Sequence, residues 1–180
     1  MKSAIIFIGA LTRVVLIAVV VFVPAAALFS GASPSPKAAP RSSAIERHCV
    51  LVGGMVMTNF GAIDPLTNTL GPATGDLRGA VSATLLGPPQ PGAGGTVAFH
   101  VQHHWVTESG DTITVDPAVA TAAPLSQTLF AIITYPIHIT GGTGKFAGAT
   151  GDLTNIGEVD LGAKATVFRY SGQVCFAEQN

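Results

Sequence analysis

The densest grouping of side chains able to do chemistry is Phe99-His-Val-Gln-His-His-Trp105. Three imidazoles within five residues suggest either a metal site or proton transfer. A strand separates them, because successive side chains point to opposite faces. His103 and His104 then diverge. His100 and His104 share a face but lie ~13 Å apart at ~3.3 Å per residue, too far for one metal whose ligand nitrogens sit at ~2 Å. The chain has only two cysteines, so zinc would need ligands from other strands, and no metal is expected. His103 falls on the parity of Val97, Phe99, Val101 and Trp105, which is apolar and assigned to the interior. Ala98, His100, Gln102, His104 and Val106 take the outer face. His103 is therefore the candidate hydrogen-bonding or proton-transfer group of a ligand cavity. The bland reading is a core histidine satisfied by one neighbour.

A second stretch could bind phosphate. Gly144-Lys145 resembles the end of a P-loop, but that motif needs a glycine where Ile139 stands and a hydroxyl where Phe146 stands. Gly142-Thr-Gly144-Lys-Phe-Ala147 fits a loose dinucleotide pattern, which needs a helix to follow. Asp152–Leu161 follows instead, alternating like a strand and containing Gly157. Nucleotide binding is not expected, and no cofactor is implied. Gly141, Gly142, Gly144, Gly148 and Gly151 read as a compact connection between strands, with Phe146 as its one large apolar anchor.

The elements that position these groups read as strands throughout. The chain is rich in Gly (21) and Pro (12) and carries 11% charged residues with a net charge of −1, which favours β structure with tight turns and argues against nucleic acid as a partner. Cys49–Phe60 is a strand, bent or bulged at Gly53-Gly54. Gly61–Asp76 reads as a loop. Leu77–Leu86 alternates, with Leu77, Gly79, Val81, Ala83 and Leu85 on one face. Thr96–Thr107 and Thr112–Asp116 are strands, Pro117–Ser126 a loop or single helical turn, and Gln127–Thr140 one long strand. On it Ile133, Tyr135, Ile137 and Ile139 face in and His138 faces out. On the last strand, Lys164–Phe176, the inward set is Thr166, Phe168, Tyr170, Gly172, Val174 and Phe176. Ala-Thr-Gly-Asp-Leu occurs twice, at 73–77 and 149–153, each time delivering an inward leucine.

The N-terminus is different in kind. Lys2 and Arg13 precede an apolar run, Val14–Phe29, broken only by Pro24. Residues 1–32 read as a signal peptide or an N-terminal membrane anchor, and residues 33–44 as a Pro/Ser/Ala-rich linker. The folded domain spans 45–180. The expected location is extracytoplasmic, secreted or periplasmic, with membrane attachment only through an uncleaved N-terminal segment.

Seven or eight strands without a helix manage their edges best by closing into a barrel. A resemblance narrows this. Ile139-Thr-Gly-Gly-Thr-Gly-Lys-Phe-Ala-Gly-Ala-Thr-Gly151, preceded by Thr128-Leu-Phe, resembles the hallmark of the allene oxide cyclase and dirigent-like barrel family, and Thr74-Gly-Asp-Leu77 with Leu66-Thr-Asn68 is similar to the plant cyclases. The likeness covers about Met55–Leu161. It implies an all-β, closed antiparallel barrel of about eight strands with an apolar lumen, often trimeric. Plant cyclases of this family rearrange an unsaturated fatty-acid epoxide and use a glutamate on the first strand. Cys49–Ile63 here contains no Asp or Glu, so that group has no counterpart. In this the chain more closely resembles bacterial relatives of the barrel that have no assigned reaction.

In a barrel with an even number of antiparallel strands, the start of the first strand neighbours the end of the last. Export and this topology together predict a Cys49–Cys175 disulfide. Val174 and Phe176 face in, so Cys175 faces out and Cys49 with it. Leu51, Met55 and Met57 then form an apolar outer stripe, which a homo-oligomer, trimer or dimer, would cover. The leading functional reading is binding of a small apolar or aromatic molecule in the lumen by Phe99, His103, Trp105, Tyr135 and Tyr170. The alternatives are a lumen isomerase or cyclase with His103 and Tyr135 as acid/base groups, and a filled barrel with a structural or interaction role.

Overall fold

The computed structural model describes residues 47–61 and 67–178. The expected segments 1–32 and 33–44, and the domain start at 45, lie outside the described residues. Eleven strands follow in order: β1 (Arg47–Phe60), β2 (Asn68–Ala73), β3 (Gly79–Leu85), β4 (Gln90–Pro91), β5 (Val97–Thr107), β6 (Thr112–Val115), β7 (Ala118–Pro124), β8 (Leu129–Thr134), β9 (Pro136–Gly142), β10 (Thr150–Asp160) and β11 (Ala165–Ala177). The only helical pieces among the described residues are single 3-10 turns at Gly75–Leu77, Ala93–Gly95 and Gly144–Phe146.

All pairings are antiparallel, and they close. The order runs β11-β1-β2-β3-β5; β5 pairs both β6 and β7, β9 pairs β6, β8 pairs β7, and β10 pairs β8, β9 and β11. Since β6–β7 and β8–β9 each act as one interrupted stave, the ring has eight staves, with β4 a short addition beside β5. The β1–β11 ladder is unbroken from Arg47↔Ala177 to Asn59↔Ala165. Gly53-Gly54 is therefore not bulged. Cys49 and Cys175 face each other in this ladder and are disulfide-bonded, with Cα atoms 3.9 Å apart. Outward parity follows: Leu51, Met55 and Met57 are exposed.

Three segments differ from the sequence reading. Within 61–76, β2 forms despite Gly71 and Pro72, because β1 and β3 flank it on both sides. Within 117–126, β7 forms as small alternating residues pack inward: Ala118, Ala120 and Ala122 are buried. The stretch 127–140 is two strands. Against β10, Thr154 pairs with Pro136 but Gly157 pairs with Ile132, so one extra residue is accommodated on the β8–β9 side, a bulge. The extra residue flips parity: Ile132 is buried and Ile133 is 52% exposed, while Tyr135, Ile137 and Ile139 remain inward. Periodicity alone carries no signal for such an insertion.

Strand directions define two ends. At one, the turns after β2, β5 and β9 gather beside the end of β11, and Leu77 and Phe146 are buried as plugs. The first Ala-Thr-Gly-Asp-Leu copy makes the 3-10 turn that delivers Leu77, whereas the second runs into β10 and delivers Leu153 from a strand. At the other end lie the turns after β1, β3, β7 and β10.

The glycine connector belongs to the plugged end. Gly144 has φ 54 and Gly148 φ 68, left-handed values that favour glycine. At Gly142 a Cβ would strike the backbone carbonyl oxygen of Thr112 on β6 and crowd Phe146. Backbone cannot swing aside as a side chain can, so Gly142→Ala should destabilise the fold by about 1–3 kcal/mol. Chemical denaturation measures this; an alanine variant as stable as the parent would show that the close β6–β9 approach is not required.

Candidate functional site

The described residues do not fill the lumen. Towards the open end it holds a cavity of about 70 Å³, counted as space open to the centre of a water molecule. That is roughly five times the minimum for one water. Its walls are almost wholly apolar: Val56, Val81, Phe99, Val101, Ala120, Ile132, Val159 and Phe168 contribute, with Leu85, Phe60 and Leu161 nearer the open end. The alternation of each strand explains this set, since every second residue of β1, β3, β5 and β11 points inward. Phe99 packs edge-on against Phe130, ring centroids 5.6 Å apart. Thr58, Thr69 and Thr166 add hydroxyls; Thr58 and Thr166 satisfy each other at 2.8 Å.

The polar feature of the lumen is a pair. His103 Nε2 and the Tyr135 hydroxyl are 2.6 Å apart, both side chains buried. They line the main cavity and also a smaller one, about 20 Å³, reached by Trp105, Ile137 and Asn155. Tyr135 stands at the β8–β9 bulge. Its carbonyl accepts both the backbone N–H of Asn155 (3.0 Å) and the Asn155 side-chain amide (3.3 Å), and its ring lies edge-on to Phe168 at 5.6 Å. His103 is held from the other side. The Gln102 side-chain amide donates to the carbonyls of His103 and Val115, both at 3.1 Å. It bridges β5 to β6 where their paired residues, Trp105↔Ile113 and Val106↔Thr112, have ended.

Burial sets the electrostatics. Desolvation, with the neighbouring His104 charge second, lowers the His103 pKa to about 4. Desolvation raises the Tyr135 pKa above that of a free phenol. At neutral pH the pair is an uncharged imidazole and an uncharged phenol. The other imidazole nitrogen, Nδ1, is buried without a hydrogen-bond partner among the described residues. If Nε2–H donates to the Tyr135 oxygen, the orphan is a bare acceptor rather than a buried N–H, which is the less costly choice. The Tyr135 O–H is then free to donate.

The five side chains proposed from sequence thus divide. Phe99, His103 and Tyr135 line the main cavity; Trp105 lines the smaller one and not the main cavity. Tyr170 lines neither. Trp105 and Tyr170 pack edge-on at 5.5 Å and grip the plug. Trp105 Nε1–H donates to the Leu77 carbonyl at 2.8 Å, while the Tyr170 hydroxyl donates to the Thr74 carbonyl and accepts the Leu77 N–H at 2.8 and 2.9 Å. Asn155, Gln102, Thr58 and Thr69 were not singled out by sequence. Asn155 carried a signal: it is a polar residue on the parity of Leu153 and Val159. Thr58 carried one too, continuing the parity of Val52 and Val56.

No protein-family model matches the chain, and no curated protein sequence matches it. Among solved structures it is similar to the pterocarpan synthase dirigent protein GePTS1, at 15% identity over 79% of this chain and 97% of that one, with a TM-score of 0.34. It is also similar to the pterocarpan synthase dirigent protein PsPTS1, at 13% identity over 74% of this chain and 97% of that one, with a TM-score of 0.32.

The His103 environment makes a pH prediction. An unfolded imidazole titrates near about 6.5, whereas folded His103 titrates at about 4. Between those values the unfolded chain binds a proton that the folded chain refuses, so stability falls as pH drops through the window. The loss should be on the order of 3 kcal/mol. His138, exposed and raised by its hydrogen bond to Asp152, acts in the opposite sense, and being unchanged it cancels in a comparison. Urea unfolding at pH 7 and pH 4 should show the parent losing more stability than His103→Gln. Parallel losses would mean that His103 is not a buried neutral group.

Proposed function

We propose that this chain is an extracytoplasmic barrel of the allene oxide cyclase and dirigent-like group that holds one small, uncharged, apolar or aromatic molecule in its lumen. The observation that carries this reading is the cavity itself: an apolar chamber ending on the His103–Tyr135 pair. A cavity favours a binding role over a filled structural barrel. Among the described residues no charged side chain lines it, so an ionised ligand would lose its hydration without a countercharge. The disulfide supports an oxidising compartment.

Binding is favoured over acid–base catalysis by the direction of the two pKa shifts. General acids and bases work best with pKa values near the operating pH. Burial makes His103 a weaker base and Tyr135 a weaker acid than either would be in water. The pair suits one oriented hydrogen bond better than proton abstraction.

Titration with an uncharged naphthalene fluorophore tests this. Ala120→Phe places a ring in the cavity and should abolish binding while leaving the fold intact. Tyr135→Phe keeps the shape and removes the hydroxyl, so a phenol-accepting ligand should weaken by about 0.5–1.5 kcal/mol. Undiminished binding by Ala120→Phe would place the fluorophore elsewhere and sink the lumen reading.

The exposed stripe of Leu51, Met55 and Met57 on β1 is the surface we assign to a second copy of the chain. Light scattering should show an oligomer that Met55→Glu with Met57→Glu dissociates; a parent chain that is monomeric at high micromolar concentration would refute the assignment.

A further inference from the structure

The two ends of the barrel differ in chemistry as well as in closure. Turns at the plugged end carry Asp76, Arg78, Glu108, Asp111 and Lys145. Three of the turns at the open end are 86–95, 124–128 and 161–164. Every residue in them is exposed, and Lys164 is their only charge. Asp160, at the base of the last turn, is already engaged: its Oδ1 accepts the N–H groups of Gly162 and Ala163 at 2.8 and 3.0 Å. What the turns present instead is apolar. Leu125 is 63% exposed, Leu86 54% and Leu161 40%. Leu161 also lines the cavity, so lumen wall and outer rim share a side chain.

We propose that this rim docks on a lipid bilayer, with Leu86, Leu125 and Leu161 at the boundary between headgroups and acyl chains, so that an apolar ligand passes between bilayer and lumen without crossing water. The proposal rests on the lumen-binding reading and names where the ligand comes from. Three observations favour a bilayer over other occupants. Apolar residues stand on separate turns around one opening, which suits a broad soft surface rather than a groove. Among the described turns, charge, the group most costly to bring into a bilayer, is concentrated at the opposite end. The β1 stripe lacks this separation, since Arg169 stands opposite Met55 across the ladder. A second copy placed mouth to mouth would bury the same leucines but would also close the lumen entrance.

The test uses the full chain with phosphatidylcholine vesicles, one set carrying brominated acyl chains that quench tryptophan. L125W places a reporter on the rim, and I133W places one on the exposed outer wall; the native Trp105 is buried and common to both. An interfacial contact reaches about 5–10 Å into the headgroup region, and quenching of L125W should exceed that of I133W about twofold or more. Adding L86E to L125W should remove the excess, whereas raising salt should not, because the contact is not ionic. Equal quenching at the two sites overturns the proposal. So does an unquenched L125W, whether the chain stays free or pairs through the rim into a dimer that L86E disrupts. Titrating the naphthalene fluorophore in the absence of vesicles reads the lumen separately, so loss of docking with retained binding falsifies this inference alone.

Discussion

A closed sheet has no edge only if its last strand finds its first, and in this chain β11 meets that requirement. It pairs with β1 along thirteen residues, Arg47 to Asn59, and with β10 along eleven, Thr150 to Asp160. The β1–β11 seam joins residues more than a hundred positions apart. Such a contact carries a loop-closure cost that local hairpins do not. The Cys49–Cys175 bond lies within the same ladder, and in the chain-entropy model a link over 126 residues offsets about 4–5 kcal/mol of that cost. Closure also fixes which residues face inward, because an unbroken ladder transmits parity from one strand to the next. The lumen, its plug and its outer stripe are consequences of that seam.

Within the ring, the chain treats its two ends unequally. One is stopped by Leu77 and Phe146, and the single tryptophan and one of the two tyrosines hold the stopper. Trp105 and Tyr170 bury their rings and hand their polar atoms to the backbone of 74–77, which satisfies the rule that buried donors and acceptors need partners. The other end is left with small residues such as Ala83 and Ala120, and the unfilled volume there is the cavity. Leaving space costs packing energy, and burying an imidazole with one unpartnered nitrogen costs more. Those two costs fall at the same place, the His103–Tyr135 pair. Concentrated expense of this kind is typical of a site rather than of a scaffold.

Much of this was legible in the residues. Alternation along 97–107 put Phe99, Val101, His103 and Trp105 on one face and His100 and His104 on the other, because a strand's period of two leaves no freedom once one face is buried. The same rule placed Tyr135, Tyr170 and Val174 inside and Leu51, Met55 and Met57 outside. The composition and glycine spacing identified an all-β chain, and topology paired the two cysteines. These properties are local, or follow from counting strands. Other features depend on neighbours that no window of sequence contains. β2 and β7 are strands because β1, β3, β5 and β8 offer them partners, despite weak propensity of their own. The extra residue between Ile132 and Pro136 exists only relative to β10, so Ile133 turns outward although its pattern points in. The same tertiary geometry separates residues of equal parity by height along the barrel. Phe99, His103 and Tyr135 border the larger space, while Trp105 and Tyr170, equally inward, lie at the level of the plug and serve it. Parity is a property of the strand; position along the lumen is set by where the ends are stopped, and that is decided only when the ring closes.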